Sequence, residues 1–352
     1  MFFCYFVRFY CKIRDMIGHV VKIISDFYYA DTEIGLIECK LREILKKKFE
    51  SVIVGDFVEL DALTPDSTQA FISKVFPRKN FISRPKVANI SKAIIVSALK
   101  NPDFDFEQLN RYIALCEYHK ITPVLCFNKC DLNKDEALIE EIKNIYEPLG
   151  YKLFFTSATL HIGTEPLSEF MKDNVCILCG ASGVGKTTII NYLTEGIHNL
   201  ATKNVSEKTK RGVHTTRHCQ IYKIDKNSSI VDTPGFSNVK FNFLLPTDVK
   251  KLFKEIDELS ECKFKDCIHV HETGCNVLEN MDKVAKSRYE SYKKFVEEAK
   301  EFKQKIKDKG TKVESTSKFN KGVTMAKLSE NKRTASRRLV KQNTGNEANA
   351  DE

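Results

Sequence analysis

The sequence predicts a multi-domain chain with three parts. These are an N-terminal all-β barrel of the OB-fold type, a central α/β P-loop domain and a C-terminal, mainly helical zinc-binding domain. Three observations predict it. Five short alternating segments fall between Gly18 and Pro85. Apolar strands and helical repeats then alternate, and one strand runs into the glycine-rich "GASGVGKTT" of Gly180 to Thr188. A cluster of cysteines and histidines follows between Cys262 and Cys275. At 352 residues the chain exceeds the size of a single core, and 42% apolar with 29% charged residues suits a globular protein. The expected boundaries are 1–15 for an apolar extension, 16–85 for the barrel, 86–240 for the P-loop domain, 241–300 for the zinc domain and 301–352 for a basic tail.

The opening "MFFCYFVRFYCKIRDM" is apolar and aromatic. Its uncharged run is far shorter than the roughly 20 residues of a membrane helix, and it lacks the layout of a signal peptide. It reads as an extra strand or an upstream extension, and no stable membrane partner is expected. "GHVVKIIS", "FYYADTE", "IGLIECKLR", "SVIVGDFVEL" and "AFISKVF" then read as strands separated by turn-prone residues. Five such strands suit a small closed barrel. Lys46, Lys47 and Lys48 read first as a solvated loop, and otherwise as a phosphate-facing one.

The pattern then changes to strand and helix in alternation. "KAIIVSAL", "TPVLCFN", "KLFFTSAT" and "VCILC" are strands, while "FEQLNRYIALCEYH", "DEALIEEIKNIYEPL" and "KTTIINYLT" have helical spacing. Near-continuous apolar strands with helical crossovers mean a parallel sheet covered on both faces.

The chemistry sits at the strand ends. Gly180, Ala181, Ser182, Gly183, Val184, Gly185, Lys186, Thr187 and Thr188 fit the phosphate-loop pattern, with the strand before and the helix after that it requires. Glycines let backbone N–H groups converge on phosphate oxygens, and the helix N-terminus adds partial positive charge. Lys186 is expected at the β- and γ-phosphates and Thr187 on Mg²⁺. "SIVDTPG" ends a strand at Asp232, a second magnesium residue, and its Gly235 amide is placed to sense the γ-phosphate. "NKCD" supplies Asn128, Lys129 and Asp131. Asp131 can accept from the guanine N1–H and exocyclic amine, which adenine does not offer. Ser157 and Ala158 of "TSAT" can offer a backbone N–H to the guanine O6. Thr215 or Thr216 is expected to cap Mg²⁺ and the γ-phosphate, and spacing does not choose between them. Phe236 stands where related enzymes orient the attacking water with Gln, so unaided hydrolysis should be slow. His214 is either a substitute for that Gln or an ordinary loop histidine. The order is the unusual feature, for the base-reading loop precedes the phosphate loop.

Cys262, Cys267, His269 and Cys275 give three thiolates and one imidazole within fourteen residues, suited to a tetrahedral structural zinc. His271 is a rival ligand. Such a site contributes about 10–16 kcal/mol to local folding. Most of the twelve cysteines lie in apolar runs, as with Cys116, Cys126, Cys176 and Cys179, so a reducing cytoplasm is expected rather than a disulfide framework. Net charge is +9, and residues 301–352 hold 13 Lys or Arg against 7 Asp or Glu. That tail reads as mostly disordered, either solubilising or RNA-touching.

The motif set, in this order, closely resembles the RsgA (YjeQ) family of circularly permuted GTPases of small ribosomal subunit biogenesis. The likeness spans residues 16–300. It rests on "GDFVEL", "PRKNFISRP", "NKCD", "TSA", "GASGVGKT", "GVHTT", "DTPGF" and the zinc cluster. The resemblance implies an OB domain, a permuted G domain and a zinc domain. It also implies GTP hydrolysis stimulated by the small subunit, binding to its rRNA and action late in assembly. Assembly factors and a monomeric state complete the expectation. The direct passage from the second switch into the zinc domain suggests that GTP state shifts that domain as a body. The alternatives are another translation- or tRNA-linked GTPase, or a non-catalytic RNA-binding protein that would tolerate Lys186→Ala.

Overall fold

A computed structural model describes residues 16–42, 45, 52–62, 70–83, 85–194, 219–225, 227–232, 240–308, 317–320 and 323–326. The apolar opening, the Lys46–Lys48 run and most of the basic tail lie outside the described residues.

Strands β1 (Met16–Ile24), β2 (Phe27–Thr32), β3 (Gly35–Leu41), β4 (Phe57–Ala62) and β5 (Ala70–Val75) close into a barrel in the order β1-β2-β3-β5-β4. β3 pairs with β5 in parallel and the other pairings are antiparallel, the OB-type arrangement. Alternation turns Val20, Ala30, Cys39, Val58, Leu60, Ala70 and Ile72 inward as one small core.

A two-stranded hairpin, β6 (Phe81–Ser83) and β7 (Lys86–Ala88), joins the barrel to the next domain. The joint is dense. Gly55 N–H donates to Val20 O (2.8 Å) and Ala88 N–H to Val54 O (2.9 Å). Asn89 Nδ2 donates to Gly55 O (2.8 Å). Arg78 makes a bidentate pair with the fully buried Asp56, at 2.7 and 2.9 Å.

The central sheet runs β10-β9-β8-β11-β13-β12. Its members are β8 (Lys92–Ala98), β9 (Thr122–Asn128), β10 (Lys152–Phe155), β11 (Val175–Cys179), β12 (Gln220–Lys223) and β13 (Ser229–Asp232). All neighbours are parallel except the edge strand β12. Helices α1 (Phe106–His119) and α2 (Glu136–Tyr146) cover one face, and α3 (Thr164–Met171) and α4 (Lys186–Leu193) the other. Successive side chains of β8 feed both cores. Ala93 and Ile95 meet α1 and α2, while Ile94, Val96 and Ala98 meet the opposite helices. That is why the strand reads as an unbroken apolar run.

The C-terminal part comprises a 3₁₀ turn (Pro246–Leu252), α5 (Lys254–Glu258), α6 (Asn276–Glu279) and the long α7 (Lys286–Asp308). Tyr292, Phe295, Val296 and Ala299 repeat at helical spacing and meet Phe241, Val249, Leu252, Phe253, Ile256 and Val277. Ala114 of α1 belongs to the same core, so this domain is seated on the central one. Residues 300–352 form a separate unit, in which β14 (Ser317–Asn320) and β15 (Val323–Ala326) pair as a hairpin that the reading of the tail did not foresee. Among the described residues no helix is long and apolar enough to cross a membrane.

Candidate functional site

The chain visits β8, β9 and β10 outward from the centre, returns beside β8 as β11, and fills the other half of the sheet with β12 and β13. Strand order therefore reverses between β8 and β11, and the crevice outside their carboxyl ends is where such sheets bind ligands. The phosphate loop leaves β11 at that point. A Cβ built on Gly180 would lie 2.1 Å from Val96 O of β8, so the loop is pressed against the neighbouring strand. The base-reading loop comes first in sequence yet lies beside the phosphate loop in space, because β9 is only two strands from β11.

Asn128 ties three loops together. It ends β9 and is 2% exposed. Its Nδ2 donates to Val184 O of the phosphate loop (2.8 Å). Its Oδ1 accepts from Thr156 Oγ1 and from the Ala158 N–H, both at 3.1 Å. Cys130 N–H donates to Thr156 O (3.0 Å), a second link between "NKCD" and "TSAT". Gly185 has φ +99°, and a Cβ there would stand 2.2 Å from Asn128 Nδ2. Only glycine lets the two loops approach so closely.

Lys129 turns through a left-handed backbone and donates from Nζ to Gly183 O (2.8 Å) and to Asn101 O. Burial lowers its pKa, with Asp131 opposing. It thus braces the phosphate loop, beside the expected packing over a base. Asp131 is exposed on the short 3₁₀ turn Cys130–Leu132, open to a ligand edge. Ser157 is buried and bonded to Ile162 through both backbone groups.

Lys186 Nζ donates to Gly180 O (2.9 Å) and Ala181 O (2.6 Å), which holds the cation within the loop. Helix α4 begins at Gly185 without a side-chain cap, whereas Asp105 and Asp135 cap α1 and α2. With no side-chain cap, the N-terminus of α4 is suited to an anion. Ser182 and Gly183 are exposed on the same loop. Asp232 ends β13 at the same edge of the sheet. His214, Thr215, Thr216 and Gly235 lie outside the described residues.

The second site is the cysteine and histidine cluster. The ligand atoms of Cys262, Cys267, His269 and Cys275 all lie within 4.8 Å of one another. Cys262 Sγ is 3.7 Å from Cys275 Sγ, and His269 Nδ1 is 3.4 Å from both sulfurs. Zinc–sulfur arms of about 2.3 Å give tetrahedral edges near 3.8 Å, slightly shorter where nitrogen replaces sulfur. The donors are already spaced for a metal ion. His269 turns Nδ1 to the sulfurs, while its buried Nε2 has no hydrogen-bond partner among the described residues.

Three residues that shape this loop escaped the sequence reading. Glu272 accepts from the Ile268, Val270 and His271 N–H groups at 3.0, 3.0 and 3.1 Å. Tyr289 and Tyr292 of α7 donate to the His269 and Ile268 carbonyls at 3.0 and 2.8 Å. The tyrosines' three-residue spacing on one helix face was the available signal.

Residues 75–242 match the family profile described as RsgA GTPase, and residues 17–72 the one described as RsgA N-terminal domain. A profile described as 50S ribosome-binding GTPase matches residues 175–312, beginning at β11. The small ribosomal subunit biogenesis GTPase RsgA of Clostridium botulinum (strain Eklund 17B / Type B) is 40% identical over 287 residues, 80% of this chain and 97% of that protein. Its counterpart in Clostridium beijerinckii is 39% identical over the same shares. The crystal structure of YjeQ from Thermotoga maritima matches with TM-score 0.69 and 33% identity, covering 81% of this chain and 98% of that one. YloQ, described as a circularly permuted GTPase, matches with TM-score 0.68 and 27% identity, covering 81% and 96%. The likeness runs through barrel, permuted sheet and cysteine cluster alike, and it makes this chain a member of the RsgA family and an enzyme that hydrolyses GTP.

Proposed function

We propose that this GTPase binds the small ribosomal subunit and its rRNA late in maturation, and that GTP state sets binding and release. The convergence of three loops on Asn128 carries the nucleotide half of this reading. In it, Asp131 reads the guanine edge, and Asn128 and Lys129 hold the pocket. The N–H groups of Ser157 and Ala158 donate to Ile162 O and Asn128 Oδ1, so one of them exchanges that partner to reach O6. Lys186 and the loop from Gly180 to Thr188 take the phosphates. Thr187 and Asp232 hold Mg²⁺, which offsets charge on the phosphates when bound. Thr215 or Thr216 and the Gly235 amide meet the γ-phosphate, and His214 positions water once the subunit has docked. In-trans completion of related sites is worth roughly 10³–10⁵-fold in rate.

The ribosomal half rests on the relatives, whose names specify the small subunit over four-fifths of this chain. The profile that names the 50S particle covers only residues 175–312, the stretch from the phosphate loop onward, and omits the barrel. The Cys262, Cys267, His269 and Cys275 site holds a structural zinc, since a closed set of four nitrogen and sulfur donors suits that ion. The protein works as a cytoplasmic monomer, alongside other assembly factors.

Co-sedimentation tests the reading. The protein should pellet with small subunits in a GTP analogue, less so in GDP, and not with large subunits or free tRNA. Equal affinity in both nucleotides removes the coupling. Preference for large subunits removes the assignment.

A further inference from the structure

A row of exposed and half-buried side chains runs from the β6-β7 hairpin across the central domain to the C-terminal one, on the side of the sheet away from the nucleotide loops. Phe81 stands on β6, Tyr118 and His119 end α1, and Phe243 and Leu245 lie on the segment entering the C-terminal domain. Helix α1 returns from the carboxyl end of β8 to the start of β9, so its last turn lies at the opposite sheet edge from Asn128. Phe81 and Tyr118 are each 43% exposed, and Phe243 and Leu245 are each 41% exposed.

The row is continuous. The Phe81 backbone lies beside the His119 imidazole, where it opposes the burial that lowers the imidazole's pKa. The Tyr118 ring lies 5.0 Å from His119 at 78°, and 5.0 Å from Phe243 at 61°. Edge-on contacts of this kind cover one face of one ring in each pair, leave the opposite face uncovered by that neighbour and fix the tilt. Phe243 leads inward to Phe241 at 6.1 Å, and Phe241 to Phe295 at 4.7 Å, so the row is rooted in the core. Arg78 sits 5.7 Å from the Phe81 ring.

The surrounding charge is positive. Lys79 and Lys120 are exposed beside Phe81 and His119. The nearby acids are engaged: Glu117 accepts from Tyr151 and pairs with Lys254, Asp248 pairs with Lys251, and Asp56 with Arg78. Aromatic faces flanked by cations suit stacked bases and their phosphates. An apolar helix of a protein partner would want an aliphatic groove, and Leu245 is the one aliphatic member here.

We propose that Phe81, Tyr118 and Phe243 form a stacking track for a single-stranded RNA segment, with Lys79 and Lys120 on its phosphates. The inference rests on the rRNA-binding reading above and gives it a surface.

The test is fluorescence anisotropy of the full chain with a labelled 12-nucleotide single-stranded RNA of mixed sequence, in parent and in Phe81→Leu, Tyr118→Leu and Phe243→Leu. Leucine keeps apolar bulk and loses the ring. Each change should weaken binding by about tenfold, within the range of a lost base–aromatic stack, while Tyr118→Phe stays near the parent. The pair Lys79→Ala and Lys120→Ala, which leaves the rings untouched, should reduce the salt slope by about 1.4. Parental RNA affinity in all three leucine variants overturns the track. So does unchanged RNA affinity with lost subunit binding, which would assign the row to a ribosomal protein. Failure of the parent itself to pellet with small subunits would instead sink the earlier reading, and the oligonucleotide data would still report on the row.

Discussion

Asn128→Ala is the most informative single change. It removes three hydrogen bonds of 2.8, 3.1 and 3.1 Å from a side chain that is 2% exposed. Thr156 Oγ1 keeps its contact with Cys126 Sγ at 3.4 Å, but the Ala158 N–H and Val184 O are left without that partner. Each stranded buried group costs about 1–3 kcal/mol, so the expected stability loss is about 2–6 kcal/mol, centred near 4. If half of that falls on the local order of the phosphate loop, guanine nucleotide affinity falls about 30-fold. Asn128→Asp has the same shape and keeps the acceptor. It puts a charged oxygen against Val184 O, so it should loosen the phosphate loop as much as alanine does. Titration with a fluorescent GDP analogue and urea unfolding measure the two effects. An alanine variant within about threefold in affinity and about 0.5 kcal/mol in stability would refute the three-loop brace.

The remaining predictions concern specificity, metal and pH. Asp131→Asn should exchange guanine for xanthine preference, read by competition of XDP against GDP; unchanged preference removes Asp131 from the base edge. A chelator, or Cys275→Ala, should release one zinc per chain and lower the thermal midpoint of the C-terminal domain while leaving GDP affinity within about twofold. Glu107 has its pKa lowered by the hydrogen bond from Lys294, against burial, with Arg111 helping. Its contribution is therefore present above the ordinary glutamate range and fades as pH falls below it. Glu107→Gln should flatten the loss of urea stability between about pH 6 and pH 3.5 by under 1 kcal/mol, the scale of a surface pair. An identical pH dependence in parent and variant would count against it.

The parts of this protein that depend on local pattern were legible in the sequence. The five barrel segments, α1, α2 and the apolar strands β8, β9 and β11 carry periodicities that burial on one or two faces dictates. The motif loops were legible because strand and helix on either side fixed their setting. What was missed depends on contacts distant in sequence. The hairpin of β6 and β7 has three-residue strands with no periodicity to read, and its pairing is fixed by Val54 and Asn89 across the joint. The short α3 shows apolar spacing only at Leu167, Phe170 and Met171. Lys129 looked like a base-stacking stem, and its bonds to Gly183 and Asn101 need the fold to be known. Glu272 is an ordinary charged residue until three backbone N–H groups turn towards it.

The docking of the C-terminal domain bears on how GTP state is transmitted. If the domain shifted as a body, its bonds to α1 would break. Asn110, fully buried, donates to Ser291 Oγ (2.9 Å) and Ser287 O (3.3 Å) and accepts from Arg288 (3.2 Å) and Tyr146 (2.8 Å). Arg288 is itself held by a buried bidentate pair with Glu255 at 2.6 and 2.9 Å. Arg111 donates to Glu298 (2.9 Å), which also accepts from the Phe241 N–H (2.9 Å). Parting Asn110 from its three partners in α7 alone strands groups worth about 3–9 kcal/mol. A typical coupling free energy is about 1–3 kcal/mol, which is too little. The barrel is tied to the central domain by Asn89 Nδ2 on Gly55 O, by the Ala88 N–H on Val54 O and by the Lys223–Asp31 ion pair. The flanking modules are therefore expected to act as a rigid frame, and the nucleotide signal proposed above would pass through the chain bordering the pocket rather than through domain displacement. A disulfide between Asn110→Cys and Ser291→Cys locks the domain to α1. Nucleotide-dependent subunit binding should survive the lock and match the reduced form. Loss of that dependence on oxidation, regained on reduction, would restore domain movement as the carrier.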